Sequence, residues 1–297
     1  MGNMPFKIAG HTMGTPEYTV KEAIALFQTI GADGAEIVVQ DDYKSGLPTH
    51  AGLEELRDVR KCADDHCISI IALTPYNSKF NSLDAEERKS EIEAIGRVID
   101  DCEVLGARYI RIYGGNLVAG DTEKYDEKWK HLVESLRVMG DMAAKKDVTL
   151  VVENHFNTMA VSAKNSADLI RDVDHPHVRI LYDQANLTFT ENEPYDVAIP
   201  LQQQYVAHMH VKDLEFIAGK SFVSSDVSHP KESERNVVTK IVGEGVVPWP
   251  QILRSVRDLG YTGWLSLEYE RRWHPADIPD ASIGMKKSIE YLRSLDL

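Results

Sequence analysis

Short β-branched, apolar runs recur along the chain, separated by stretches with helical spacing. The runs are FKIAGHT from Phe6, AEIVVQ from Ala35, ISIIALTP from Ile68, RYIRIYGG from Arg108, VTLVVENH from Val148, VRILYDQAN from Val178, VAHMHVKD from Val206 and GWLSLEYE from Gly263. Between the first two, TVKEAIALFQTIG turns Val20, Ile24, Leu26 and Phe27 toward one face and stops at Gly31. A later segment opens at Asp84, with Glu87 three residues on, a capping-box spacing, and closes on LGA. EKWKHLVESLRVMGDMAAKKD and PWPQILRSVRDLGYTG follow the same plan. Regular alternation of strand and helix means a parallel sheet. Eight such units in 297 residues predict an α/β fold, a (β/α)8 TIM barrel forming a single domain over residues 1–297. An open doubly wound sheet would need a Gly-x-Gly-x-x-Gly turn after the first strand, and GHTMGTPEYTV does not supply it. The one long connection, Leu214–Gly245, is predicted to lie over the C-terminal mouth as a lid or an assembly surface.

Composition narrows the partners. A formal net charge of −14 repels phosphate backbones and anionic lipid surfaces, so neither nucleic acid nor a membrane is the expected partner. Cys62, Cys67 and Cys102 form no Cys-x-x-Cys motif and are odd in number, as expected of idle thiols in a reducing compartment. The segment MGNMPFKIAG lacks the basic-then-apolar pattern of a signal peptide, and no apolar run reaches the length of a membrane span. A cytoplasmic protein is expected.

The candidate chemistry lies where the later runs end. In a barrel those ends surround the active site. The fifth run ends on Glu153 and His155, and the sixth on Asp183, Gln184 and Asn186. The seventh carries His208, His210, Lys212 and Asp213, and the eighth Glu268 and Glu270. A period of two points alternate residues the same way, so acids and imidazoles from adjacent strands converge. Such a cluster cannot be buried without a countercharge, and a divalent cation is the simplest one. Glu153, Asp183, His210 and Glu268 offer three oxygens and one nitrogen, a set suited to Mn²⁺ first, then Mg²⁺ or Co²⁺. Each residue taken alone has a plainer reading, with Asp183 as the N-cap of a turn, His208 as a hydrogen-bonded core histidine, and Glu270, Arg271 and Arg272 in surface or interface ion pairs. His11, Glu36, Tyr76 and Tyr113 from the early strands are candidates for the substrate side, and His274 either reaches the mouth or caps the last helix.

VVENH, LYDQAN, HMHVKD, GEGVVPWPQILRSVRDLGYTGWLSLEYE and RRWHPADIPDASIGMKKSIEYLR together resemble the sugar phosphate isomerase/epimerase family of xylose isomerase-like barrels, a group that includes AP endonuclease family 2. The resemblance implies one divalent metal, commonly Mn²⁺, on Glu153, Asp183, His210 and Glu268, with the two glutamates as the acid–base pair. Two positions depart from the pattern. Asn186 stands where many members carry a histidine that contacts substrate, and Lys212 replaces the arginine-rich stretch of free-ketose epimerases. HVKD with RRWHP looks more like relatives acting on keto-sugars, inososes or 3-keto-glycosides. The endonuclease branch needs histidines on the early strands, where LTPYN and IYGGN have none.

The expected activity is therefore that of an isomerase or epimerase acting on a keto-sugar. A proton leaves next to a carbonyl, giving a metal-stabilised enediolate, with His155 and Lys212 holding hydroxyls or stabilising charge. The alternative is a lyase using the same enolate, an inosose dehydratase or the catalytic subunit of a C-glycoside deglycosidase, with Lys212 or His155 as general acid. A non-catalytic subunit that binds a sugar or a partner protein is a third reading, and the four-ligand set argues against it, because binding alone does not require paired glutamates around a metal. Asn186 and His274 join His11, Tyr76 and Tyr113 as expected substrate contacts. The partner is a small carbohydrate, and a homo-oligomer or hetero-oligomer is compatible with the long connection.

Overall fold

The alternation read from the sequence folds into a ring. The structure is a computed structural model that describes residues 5–117, 122–221 and 235–297. Its strands are β1 (Lys7–His11), β2 (Gly34–Val39), a two-residue β3 (Gly46–Leu47), β4 (Ser69–Pro75), β5 (Tyr109–Ile112), β6 (Thr149–Glu153), β7 (Val178–Asp183), β8 (Val206–Val211), β9 (Asp213–Phe216), β10 (Val237–Lys240) and β11 (Trp264–Leu267). Eight of them, β1, β2, β4 to β8 and β11, pair in parallel in chain order, and β1 pairs with both β2 and β11. This closes a (β/α)8 TIM barrel in one domain. β3 extends β2 at the rim, and β9 and β10 form a separate antiparallel ribbon.

The helices are α1 (Val20–Thr29), α2 (Leu53–Asp65), α3 (Ala85–Leu105), α4 (Tyr125–Ala144), α5 (Ala163–Val173), α6 (Gln184–Thr190), α7 (Tyr195–Gln202), α8 (Trp249–Asp258) and α9 (Ala281–Ser294). Local signals set their ends. Thr19 and Glu22 make a reciprocal capping box on α1, and Asp84 accepts from the Glu86 and Glu87 N–H groups to start α3, caps worth about 1 kcal/mol each. α3 stops at Gly106, which sits in the left-handed region at φ 73°. On α1 the buried residues are Val20, Ala23, Ile24 and Phe27, and Leu26 is only partly buried at the edge of that face.

One large apolar cluster joins strand residues such as Ile37, Ile110 and Ile180 to helix residues such as Phe27, Leu105 and Leu136. It forms the layer between barrel and helices. Strand residues that alternate with it include Glu36, His208 and His210, which are also buried but contact one another, and Arg111, which pairs with Glu153. Charge thus fills the barrel where apolar side chains would be the default. Among the described residues, no helix is long and apolar enough to cross a membrane.

The connection after β8 is organised by one carboxylate. Asp213 accepts from the N–H groups of Leu214, Gly243, Gly245 and Val247, which folds the returning chain against the end of β8. A Cβ at Gly245 would overlap Asp213 Oδ1, so only glycine fits there. Residues 222–234, the middle of the expected lid, lie outside the described residues.

Candidate metal and catalytic site

Glu153, Asp183, His210 and Glu268 come from four adjacent strands, β6, β7, β8 and β11, and each is buried. Each offers one ligand atom within 4.8 Å of the other three. Glu153 ends β6, and Asp183 ends β7 while capping α6 through Oδ1, which accepts from the Asn186 N–H at 2.9 Å. His210 Nδ1 lies 3.3 Å from Glu153 Oε1 and 3.4 Å from Glu268 Oε1. Glu268 Oε2 accepts from the Lys212 ammonium at 2.6 Å.

Two cations already enter this group of acids. Arg111 Nε lies 3.0 Å from Glu153 Oε2, and Lys212 Nζ lies 3.1 Å from Asp183 Oδ2 and 3.2 Å from Glu270 Oε1. They do not balance it. Burial, then the charges of Glu268 and Glu153, push Asp183 up to about 7 despite Lys212. Burial also opposes ionisation of Glu153, but the Arg111 guanidinium, helped by His155 and His210, holds it at about 2 against the charge of Glu268. Burial alone would lower Lys212, yet Asp183, Glu268 and Glu270 hold it well above its ordinary value as a protonated donor. A carboxyl left with a raised pKa among ready oxygen donors fits a divalent cation, and the absence of thiolate among the four matches a hard or borderline ion.

A cavity of about 240 Å³ opens above this group. Its walls include Met13, Tyr76, Tyr113, Phe156, Phe189 and Trp273, and its polar border includes Arg111, His155, Lys212, Glu268, Glu270 and His274. The described flanks of the long connection reach it through Leu214, Arg235, Asn236, Val237 and Thr239. Arg235 forms a paired ion contact with Asp277, which also accepts from the Thr239 N–H at 2.9 Å. The His155 ring meets Tyr113 edge-on at 4.7 Å, and its Nδ1 lies 2.8 Å from the Phe156 carbonyl. A carbonyl only accepts, so Nδ1 carries the proton and Nε2 keeps its lone pair. Burial pushes His155 below its ordinary range, which keeps the imidazole neutral.

Tyr76, Tyr113, His155, Lys212, Glu268 and His274 thus border the cavity. His11 and Asn186 do not. His11 is fully buried with Nε2 3.6 Å from Glu36 Oε1, and Glu36 itself faces the histidines of β8 instead of a substrate. Asn186 is a positioning group, its Nδ2 donating to Glu153 Oε1 at 3.3 Å and to the Asn154 carbonyl at 2.9 Å. Asn186 Oδ1 is buried without a hydrogen-bond partner among the described residues. His208 is a buried, hydrogen-bonded histidine, 2.9 Å from Glu36 Oε2. Glu270 does form an ion pair, but at the cavity border, where the turn after β11 brings it to Lys212 and to Thr239 Oγ1 at 3.3 Å. Arg271 does pair at the surface, with Glu17, while Arg272 lies over the Tyr43 ring at 4.0 Å. Arg111 escaped the sequence reading altogether. It is buried between Tyr113 and Tyr76, 4.0 and 5.1 Å from the ring centres, and its signal was a lone charge inside the apolar run RYIRIY.

Residues 24–295 match the family described as Xylose isomerase-like TIM barrel. The chain belongs to that family. Among curated proteins, an inosose dehydratase of Geobacillus thermodenitrificans is 25% identical over 177 residues, 56% of this chain and 59% of that protein, so the match spans little more than half of the relative. Among solved structures, a 3-keto-D-glucoside 4-epimerase from E. coli superposes with a TM-score of 0.75 at 16% identity, covering 97% of this chain and 99% of the other. A xylose isomerase-like TIM barrel protein from Mycobacterium smegmatis in complex with magnesium gives a TM-score of 0.71 at 18% identity, covering 97% and 95%. These likenesses share the barrel, and the named relatives include enzymes of both the epimerase and dehydratase kinds.

Proposed function

We propose that this xylose isomerase-like barrel is a divalent-metal-dependent isomerase or epimerase that removes a proton next to the carbonyl of a keto-sugar. The observation that carries the reading is the buried quartet Glu153, Asp183, His210 and Glu268, with Glu268 also bordering the cavity. Those four residues would hold Mn²⁺, with Mg²⁺ or Co²⁺ as substitutes. When bound, the ion supplies Lewis acidity toward a keto oxygen and its neighbouring hydroxyl. Glu268 takes or returns the proton at the cavity face, and Glu153 serves as its counterpart. Arg111, Asn186 and His210 fix the Glu153 carboxylate, so its orientation is set before substrate arrives. His155 accepts a substrate hydroxyl through Nε2, and the Lys212 ammonium donates to developing negative charge. Tyr76, Tyr113 and His274 contact the sugar. Aromatic walls and, among the described residues, the lack of a concentrated basic cradle favour an unphosphorylated substrate.

The lyase reading is supported by the inosose dehydratase similarity and by Lys212, a protonated donor beside Glu268. In that reading Lys212 is the general acid that releases water or an aglycone, since His155 lacks a proton on Nε2. A cytoplasmic location, a small carbohydrate as the partner in place of nucleic acid or membrane, and assembly through the connection after β8 complete the proposal.

Glu153→Gln and Glu268→Gln should each lower turnover of an accepted keto-sugar by at least about 10³-fold while the chain stays folded. Near-normal rates in either variant refute the acid–base assignment. With wild-type protein in deuterated water, one deuterium gained in a product of otherwise unchanged skeleton marks epimerisation, and an unsaturated product marks elimination.

A further inference from the structure

Below the quartet lies a second cluster of an acid and imidazoles, His11, Glu36 and His210, whose ligand-type atoms also converge. His210 belongs to both groups. Its Nδ1 faces Glu153 and Glu268, and its Nε2 lies 3.1 Å from Glu36 Oε1. Glu36 also accepts from Thr74 Oγ1 at 2.6 Å and lies 2.9 Å from His208 Nε2.

The tautomers follow from what each partner can do. The Met13 N–H donates to His11 Nδ1 at 3.0 Å, so that nitrogen carries no proton. The His11 proton therefore sits on Nε2, facing Glu36. His208 Nδ1 has no hydrogen-bond partner among the described residues, and its Nε2 faces the Glu36 carboxylate, which only accepts. The same rule puts a proton on both His210 nitrogens without an ion, Nε2 facing Glu36 and Nδ1 facing Glu153 and Glu268, and the Nδ1 proton is the one that would give way to a cation among the upper acids. Three N–H groups and one hydroxyl thus converge on one carboxylate. For His11 to ligate a cation through Nε2 it would have to lose its only ring proton, which an imidazole does not do readily.

We propose that Glu36 is the positioning residue that holds His210 with Nε2 protonated and Nδ1 presented to the cation of the upper quartet, and that the Glu36 cluster itself takes no ion. The inference rests on the metal-site reading above. Carboxylate–histidine–metal arrangements of this kind fix ring orientation and raise ligand basicity. His208, which stacks on the Tyr109 ring at 5.3 Å between centres, braces Glu36 from the opposite side.

The test is calorimetric titration of the metal-stripped full-length chain with Mn²⁺. The wild-type chain should bind one ion, and Glu36→Gln should bind it roughly 10- to 100-fold more weakly. Ser135→Ala, which removes the remote buried bond to the Phe80 carbonyl, controls for general loosening and should keep the wild-type Kd. A folded Glu36→Gln variant with the wild-type Kd, a Ser135→Ala variant weakened as much as Glu36→Gln, or two ions per wild-type chain would each overturn the inference and leave the quartet standing. No Mn²⁺ binding by the wild-type chain would overturn both. Should Glu36→Gln not fold, nitrogen-15 NMR of the histidines in the Mg²⁺-loaded wild-type chain decides. Retention of the His210 Nε2 proton supports the inference, and its transfer to Nδ1 refutes it.

Discussion

The two acid–imidazole clusters that share His210 are built from the same residue types and differ in their balance of donors and acceptors. In the lower one, His11, His208, His210 and Thr74 surround the single carboxylate of Glu36. Here donors outnumber carboxylates, with hydrogen bonds from His208, His210 and Thr74 and the His11 ring nearby at 3.6 Å. In the upper one, three carboxylates meet one imidazole, and Lys212 and Arg111 leave Asp183 raised to about 7. The upper cluster also borders a cavity through Glu268 and Lys212. Residue identity alone therefore does not separate a structural network from a reactive one. The count of charges and the access to solvent do.

Removing the upper cluster's internal cation sharpens this contrast most. Lys212→Met should lower turnover by about 10²- to 10⁴-fold. In the metal-stripped state it should also destabilise the fold by roughly 3–5 kcal/mol, because Asp183 and Glu268 lose their partner. Saturating Mn²⁺ should restore most of the thermal midpoint without restoring turnover. A midpoint indifferent to Mn²⁺ breaks the idea that the cluster lacks positive charge.

A second expectation concerns pH. Asp183 at about 7, and His210, raised above its ordinary range by Glu268 and Glu36 against the effect of burial, must shed protons before a cation binds. Mn²⁺ affinity should therefore rise with pH up to and through about 7, by as much as about tenfold per pH unit for each proton released. Titrations in two buffers of different ionisation enthalpy count those protons, and a flat profile contradicts the assignment.

The lower cluster responds in the same sense, but through stability and not through affinity. Burial depresses His11 to about 4, so it stays neutral when folded. Between the unfolded value near 6.5 and about 4, the unfolded chain takes a proton that the folded one refuses, and stability falls as pH falls. The contribution is at most on the order of 3 kcal/mol, read as acid-side loss in the denaturation midpoint that His11→Asn abolishes. Outside both clusters, Glu17→Ala breaks the surface pair with Arg271 and should shift stability by less than about 1 kcal/mol.

The barrel was legible because strand and helix periods alternate and because caps such as Asp84 and Gly106 mark the ends. The quartet was legible because four apolar runs in succession break off on acids or imidazoles. What escaped was one charge inside a run, Arg111, and the partners of another, Glu36, which was expected on the substrate side. Arg111 sits in YIRI and Glu36 in AEIVV, where a strand buried on both sides should be apolar throughout. Their partners, Glu153 and His210, are 42 and 174 residues away in the chain, so no local pattern could pair them. The contact of the Asn186 amide with Glu153 and the approach of Lys212 and Thr239 to Glu270 likewise join distant segments that no local pattern links.

Asp183 serves two structures at once. One oxygen caps α6 and the other faces the acid quartet, and α6 carries Phe189 into the cavity wall. If the quartet holds an ion as proposed, a change that shifts this side chain to suit another ionic radius would also disturb the cap of α6, and with it Phe189 in the cavity wall. Choice of ion and fit of sugar would then be mechanically geared through one short helix.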